Sequence, residues 1–135
     1  MANQRIEHYA EELAMFDQDI VYEYLIDLGK TLRSDPLGED LRTVGNRVSR
    51  CNYALYVARE DDRFKAYSDA IIASGYAAIL VDVFNSTPPE EARNLSLEDF
   101  KPLKLDLLLS VNRASGFQQM IEIMASQSAR MLDGA

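Results

Sequence analysis

The sequence has one cysteine, one histidine and no tryptophan. A single cysteine cannot form an internal disulfide, so no disulfide framework holds this chain together. A zinc site needs several His or Cys ligands, and His8 and the distant Cys51 cannot supply them. A Cys-His catalytic pair would have to use His8 as well, which is 43 positions from Cys51 in the sequence. We therefore predict no metal site, and we interpret His8 as a surface residue.

Basic residues and long apolar runs are also scarce. The chain has 14 Lys and Arg against 22 Asp and Glu, a net charge of −8. Nucleic acids and anionic membranes are bound through basic surfaces, so we expect neither as a partner. The longest apolar stretch, residues 70–84, contains Asp82 and falls short of the roughly 20 residues that span a bilayer. Because the N-terminus lacks the apolar run of a secretory signal, we expect a cytoplasmic protein.

No glycine-rich nucleotide motif, repeat, low-complexity tract or linker interrupts the 135 residues. A chain of this length is sufficient for one hydrophobic core. We predict a single domain over residues 1–135, with disorder limited to the terminal "DGA".

The first third of the chain has the spacing of a helix. Apolar residues in the segment 21–28 recur three and four positions apart, and Asp17 or Asp19 can cap the start. Gly29 and the loop "SDPLGED" are expected to end that helix.

The middle of the chain changes to a period of two. Residues 53–58 alternate as a strand with one buried face does, "EDD" predicts a turn, and "RFKAY" a returning strand. The segment "RTVGNRV" predicts a third strand before Cys51. From Ser68, which can cap the next helix, the chain is helical again. Helices around a small three-stranded antiparallel sheet indicate an α+β fold.

Local physics leaves two interpretations of Cys51 open. A lone cysteine most often fills a core as a small apolar residue. The predicted loop position and three nearby basic residues instead favour a reactive thiol, because positive charge stabilises a thiolate. Those residues are Arg47, Arg50 and Arg59.

Five segments in order resemble the SufE/CsdE family of sulfur acceptors. They are "YEYLIDLGKTL", "NRVSRC", "YSDAIIASGYAAIL", "STPPEE" and "NRASGFQQMIEIM". The frame Asn-x-Val-x-x-Cys places Cys51 at the family's acceptor cysteine. The chain differs from the family pattern at Arg50, where glycine is usual, and over residues 52–56, where a polar pair and tryptophan are typical. A histidine common before the final arginine is also missing.

The resemblance implies a SufE/IscU-like fold and an accessory role in iron–sulfur cluster assembly. Cys51 would accept persulfide sulfur from a SufS/CsdA-like cysteine desulfurase and pass it to an Fe-S scaffold or another acceptor. The chain would need no cofactor of its own, since the pyridoxal phosphate belongs to the desulfurase.

We also expect supporting roles for three other residues, with alternatives left open; the role of Arg50 rests on its position next to Cys51 and not on the resemblance. Arg50, next to the cysteine, would favour the thiolate. Asp69 and Arg113 would support the loop that carries Cys51 or bind the desulfurase. Asp69 can equally be a helix cap, and Arg113 a structural hydrogen-bond donor. We expect a monomer or a weak homodimer. A regulator that binds a desulfurase without efficient transfer is the main alternative, and a stand-alone thiol enzyme is a weaker one because no histidine base lies near Cys51.

Overall fold

The computed structural model describes residues 3–133, so Gly134 and Ala135 of the predicted disordered tail lie outside the described residues. The fold is α+β, as predicted, with a two-stranded antiparallel hairpin set among helices. In chain order the helices and strands are α1 (Gln4–Ala14), α2 (Gln18–Ser34), β1 (Leu55–Glu60), β2 (Arg63–Ser68), α3 (Ile71–Asn85), α4 (Pro89–Ala92), α5 (Leu97–Phe100), α6 (Leu105–Leu108) and α7 (Val111–Asp133).

Helix α2 follows the predicted periodicity. The Asp17 carboxylate accepts a hydrogen bond from the Ile20 backbone N–H at 3.1 Å, which caps the helix start. Val21 and Leu25 are buried on the face that meets α3. The predicted helix is therefore confirmed, with Asp17 rather than Asp19 as its cap.

The hairpin of β1 and β2 is also confirmed, from the pair Leu55–Ser68 to the pair Glu60–Arg63. Its turn places Asp61 and Asp62 at positive φ, 55° and 65°. Two such residues suit the mirror-image turns that match the twist of a hairpin, and aspartate tolerates this conformation better than most residues.

The predicted third strand is wrong. Residues 42–48 instead contain a 3-10 turn, Val44–Asn46, followed by one isolated bridge between Arg47 and Tyr56. The Val48 backbone N–H donates to the Leu55 carbonyl at 2.8 Å, which prolongs that contact by a single bond. Val44 is 92% exposed, so this segment has no continuous apolar face to hold it flat against the core.

Ser68 does not cap α3, contrary to the prediction. It is the last residue of β2, and Ala70 stands at the cap position before Ile71. The Ser68 hydroxyl donates to the Ala54 carbonyl at 2.6 Å and accepts from the Ala70 backbone N–H at 3.1 Å. Ser68 thus ties the start of α3 to the residue that precedes β1.

Helix α3 is the centre of the core, and it approaches α2 very closely. A Cβ placed on Gly75 would lie 2.2 Å from the Leu25 carbonyl oxygen and 2.7 Å from its carbonyl carbon. Only a residue without a side chain fits there, because a backbone group cannot turn aside as a side chain can. A series of ring contacts begins on β2, passes through α3, α5 and α7, and returns to α3: Phe64–Phe84, Phe84–Phe100, Phe100–Phe117 and Phe117–Tyr76.

Gly75→Ala should lower the free energy of unfolding by about 3 kcal/mol, because the added methyl forces α2 and α3 apart. Urea denaturation followed by circular dichroism measures this change. Gly45→Ala is the matched control, since a Cβ there meets nothing within 4 Å and should change stability by no more than about 0.5 kcal/mol. Equal stability of the two variants would contradict the close approach.

Candidate functional site

Cys51 lies in the loop of residues 49–54, which we call the cysteine loop. The loop leads from the segment that contains Arg47, the partner of Tyr56 in an isolated bridge, to the start of β1. Cys51 therefore lies in a connection, as the sequence predicted. Cys51 is nevertheless only 4% exposed and belongs to the apolar core cluster. The residue before it and the residue after it are exposed. The loop therefore turns its sulfur inward between two solvent-facing neighbours.

The Cys51 sulfur packs against α7 at Gly116, a position without a side chain. A Cβ on Gly116 of α7 would lie 2.2 Å from the Cys51 Sγ and 2.9 Å from the Tyr76 hydroxyl oxygen. Glycine at this position makes room for both groups. On the α3 side, the Cys51 Sγ and the Tyr76 hydroxyl oxygen are 3.6 Å apart, a hydrogen-bond distance for sulfur.

A second tyrosine extends this contact towards the surface. The hydroxyl oxygens of Tyr53 and Tyr76 are 3.0 Å apart, and Tyr53 is half-buried whereas Tyr76 is fully buried. Burial raises the pKa of Tyr53 to about 12, and it raises the pKa of Tyr76 far above its usual range. Both groups are therefore neutral phenols at physiological pH, each with a hydrogen to donate.

Helix α7 holds the first half of the cysteine loop through one side chain. The Gln119 Oε1 accepts from the Arg50 backbone N–H at 2.7 Å, and its Nε2 donates to the Ser49 hydroxyl at 2.9 Å. The Cys51 backbone N–H donates to the Val48 carbonyl at 3.3 Å. These bonds fix the main chain leading into the sulfur.

The second half of the loop is held by Asp69 and Ser68. The Asp69 Oδ1 accepts from the Ala54 backbone N–H at 3.1 Å, and Ser68 donates to the Ala54 carbonyl. Asp69 therefore lies at the cysteine loop, where the resemblance expected it, and it binds the loop rather than capping α3.

Arg50 and Arg113 occupy different surroundings. The Arg50 guanidinium is 3.7 Å from Glu122 Oε1, and both side chains are about half exposed, at 47% and 51%. The structure thus pairs Arg50 with a carboxylate of α7, and its effect on the thiol stays a prediction. The positive charge of Arg113 lowers the pKa of Tyr53. Burial raises the same pKa by more, so the net change is upward.

His8 pairs with a carboxylate of its own helix, and two surface cavities are lined by residues outside the cysteine loop. The His8 Nε2 is 3.0 Å from Glu12 Oε1 on α1, and His8 is exposed, which confirms a surface residue. One cavity of about 400 Å³ is lined by residues that include Arg59, Phe64 and Met131, and another of about 440 Å³ by residues that include Tyr9 and Lys65. Cys51 lines neither cavity.

Sequence reasoning missed the groups that contact the sulfur and its loop. Gly116 lies in the segment "NRASGFQQMIEIM", which resembles the family, but the sequence predicts no role for it. The alternating pattern of residues 53–58 predicts that Tyr53 is a strand residue. Gln119 gave no signal at all. Tyr76 carried one usable signal, because a tyrosine in a wholly apolar helix must find a partner for its hydroxyl.

Fold and site together define a small α+β protein built around one sheltered loop thiol. The profile of the SufE family, described as an Fe-S metabolism associated domain, matches residues 7–128. The chain belongs to the SufE family.

The relatives agree with this assignment. An uncharacterized SufE-like protein of Rhizobium meliloti is 29% identical over 91% of this chain and 94% of its own length. One from Synechocystis sp. is 28% identical over 79% of this chain and 69% of its own. The chloroplastic/mitochondrial SufE-like protein 1 of Arabidopsis thaliana is 28% identical over 82% of this chain but only 30% of its own length.

A solved structure shares the fold. The solution structure of a hypothetical protein from Thermus thermophilus superposes with a TM-score of 0.77 at 14% identity, over 98% of this chain and 99% of that one. Within residues 3–133, no helix combines the length and apolar character required to cross a membrane.

Gly116→Ala should expose the thiol, because its methyl would lie 2.2 Å from the sulfur, too close for both to remain in place. About 1.4 kcal/mol of strain in the closed loop increases the open population tenfold, so alkylation of Cys51 by iodoacetamide should be about tenfold faster. Mass spectrometry of the single alkylated cysteine gives the rate. Gly45→Ala serves as the control, and a rate equal to that of the unaltered protein would contradict the contact.

Gln119→Ala should also open the loop, through loss of its bonds to Arg50 and Ser49. Two partly exposed hydrogen bonds of about 0.5 kcal/mol each predict an alkylation rate about fivefold higher. Gln118→Ala is the matched control, as a half-buried glutamine next to it on α7. Identical rates for the two variants would show that Gln119 does not hold the loop closed.

Proposed function

We propose that this protein accepts persulfide sulfur on Cys51 from a cysteine desulfurase and passes it on for iron–sulfur cluster assembly. The observation that carries the proposal is the placement of the sulfur: buried at 4% exposure, yet on a loop whose neighbouring residues are exposed. A sulfur carrier needs both properties. It must reach a partner, and it must protect a readily oxidised persulfide between encounters.

The reaction is a thiol–persulfide exchange. The Cys51 thiolate attacks the terminal sulfur of a persulfide, R–S–S–H, on the desulfurase. The new S–S bond forms at Cys51, the donor S–S bond breaks, and its electron pair leaves on the donor thiolate. The products are Cys51–S–S–H and R–S⁻. No metal or cofactor of this chain takes part, since the pyridoxal phosphate acts in the desulfurase.

The exchange requires the cysteine loop to open, since the buried sulfur cannot meet another cysteine in the closed form. Two of the side chains that anchor the loop, Gln119 and Asp69, form their bonds to it at the surface. Surface-exposed hydrogen bonds are the first to break in local opening. A docked partner can therefore take over these anchors while it draws the sulfur outward.

A regulator without efficient transfer is the second candidate. The replacement of the usual glycine by Arg50 favours it, because a side chain at that position restricts the loop. Arg50 is further held to α7 by Gln119 and Glu122. A loop too stable to open would leave a protein that binds the desulfurase without accepting its sulfur.

Mass spectrometry after incubation with a SufS/CsdA-like desulfurase and free cysteine should show one added sulfur atom on Cys51. Cys51→Ser should remove the adduct, because no other thiol exists in the chain. Gly116→Ala separates the two candidates: if the loop alone limits transfer, the adduct should form faster in that variant.

Two results would defeat the carrier. One is the absence of an adduct in both the unaltered protein and Gly116→Ala. The other is stimulation of the desulfurase that persists undiminished in Cys51→Ser, which establishes the regulator.

A further inference from the structure

Two phenol groups and the Cys51 sulfur form a continuous row between the core and the surface. The Tyr76 hydroxyl oxygen lies 3.6 Å from the Cys51 Sγ and 3.0 Å from the Tyr53 hydroxyl oxygen. Tyr76 comes from α3, Tyr53 from the cysteine loop itself, and Gly116 of α7 leaves the space in which the sulfur meets the Tyr76 hydroxyl. We call this row the tyrosine relay.

The direction of the hydrogen bonds follows from how many hydrogens each group has. A phenol donates one hydrogen and accepts others, while an anionic sulfur can only accept. When Cys51 is a thiolate, a bond between Tyr76 and the sulfur has Tyr76 as its donor, and the Tyr76 oxygen is then free to accept from the Tyr53 hydroxyl. Hydrogen bonds in such a row strengthen one another by polarisation.

We propose, building on the sulfur-acceptor function above, that Tyr76 is a catalytic residue that stabilises anionic sulfur on Cys51 in the closed loop. Tyr53 is a positioning residue that orients the Tyr76 hydroxyl and links it to solvent. The stabilised species are the thiolate that forms before transfer and the anionic persulfide that is stored after it.

The relay also gives the thiol proton a route out of the core. The Cys51 S–H proton passes to the Tyr76 oxygen while Tyr76 passes its own hydrogen to Tyr53, and Tyr53 releases one to water. One proton reaches solvent, one thiolate is formed, and both phenols are unchanged. Because Tyr53 is only half-buried, the proton can leave through it without water entering the space beside Gly116.

Other charged groups around the sulfur are engaged elsewhere or act on the relay. From α7, the Arg113 charge acts on Tyr53, and Glu122 pairs with Arg50 of the loop. From the end of β2, Asp69 accepts the Ala54 backbone N–H. Among the described residues, the Tyr76 hydroxyl is the side-chain group within hydrogen-bond distance of the Cys51 sulfur, and the Tyr53 phenol has an electrostatic interaction with the same sulfur.

The single cysteine permits a direct test. Protein labelled with ¹³C at cysteine Cβ gives one NMR resonance, whose chemical shift follows the protonation of the sulfur through a pH titration. Tyr76→Phe should move the midpoint upward by about one pH unit, because the thiolate loses a charge-assisted hydrogen bond. Tyr53→Phe should move it in the same direction by about half as much, through the weakened Tyr76 bond.

Tyr9→Phe is the matched control, a buried tyrosine whose hydroxyl donates to Asp82 at 2.6 Å on the α1 side of α3. It should lose stability without moving the midpoint, whereas a purely structural role of Tyr76 predicts no shift in any variant. An unchanged midpoint in folded Tyr76→Phe overturns the proposal. If Tyr76→Phe does not fold, Tyr53→Phe decides, and an unchanged midpoint there overturns the relay.

The titration uses no desulfurase, so its outcome is independent of sulfur transfer. A protein that gains no sulfur adduct but shows the shifts retains the tyrosine relay and loses the carrier function. A protein that gains the adduct but shows no shift retains the carrier function and loses the relay.

Discussion

The close contact between α2 and α3 at Gly75 is the constraint on which the site depends. With the backbone of Leu25 filling the space of a side chain, α3 cannot rotate or withdraw without breaking that contact. Tyr76 is the next residue and points about 100° further round the helix, so the contact also fixes where its ring lies. Its ring then meets Phe117 edge-on, with centroids 5.5 Å apart, and its hydroxyl meets the sulfur. The core thus sets the position of the reactive group.

A second backbone constraint, at Gly116, explains why the site is closed. Once the sulfur occupies the gap in α7, the cysteine loop is stabilised by apolar burial, which the surface anchors supplement. Polar anchors at the surface contribute about 0.5–1.5 kcal/mol each, and local opening of one loop exposes far less apolar surface than unfolding of the domain does. Shelter and access are therefore compatible within the same loop.

The sequence was informative where structure is local. The periodicity of α2 and the turn of the hairpin depend on neighbouring residues, and both predictions were confirmed. The third strand failed because strand pairing depends on a distant partner, and the exposed Val44 gives the segment no buried face. Ser68 failed as a cap for the same reason, since its hydroxyl is used by Ala54, 14 residues away. The groups that meet Cys51 come from α3 and α7, and spacing along the chain does not reveal such contacts.

Tyr53 lies within the stretch where this chain differs from the common pattern of its family, and its surroundings bear on what that difference means. If the loop differed from the family pattern without any compensating change, the Tyr53 hydroxyl would have no hydrogen-bond partner in the interior. Here the Tyr53 hydroxyl meets that of Tyr76, and a buried phenol without a partner would destabilise the core. Closing the loop therefore gives the Tyr76 hydroxyl a hydrogen-bond partner, and it also buries the sulfur. The altered residues belong to the packing of the site, so the thiol and its unusual loop form one unit.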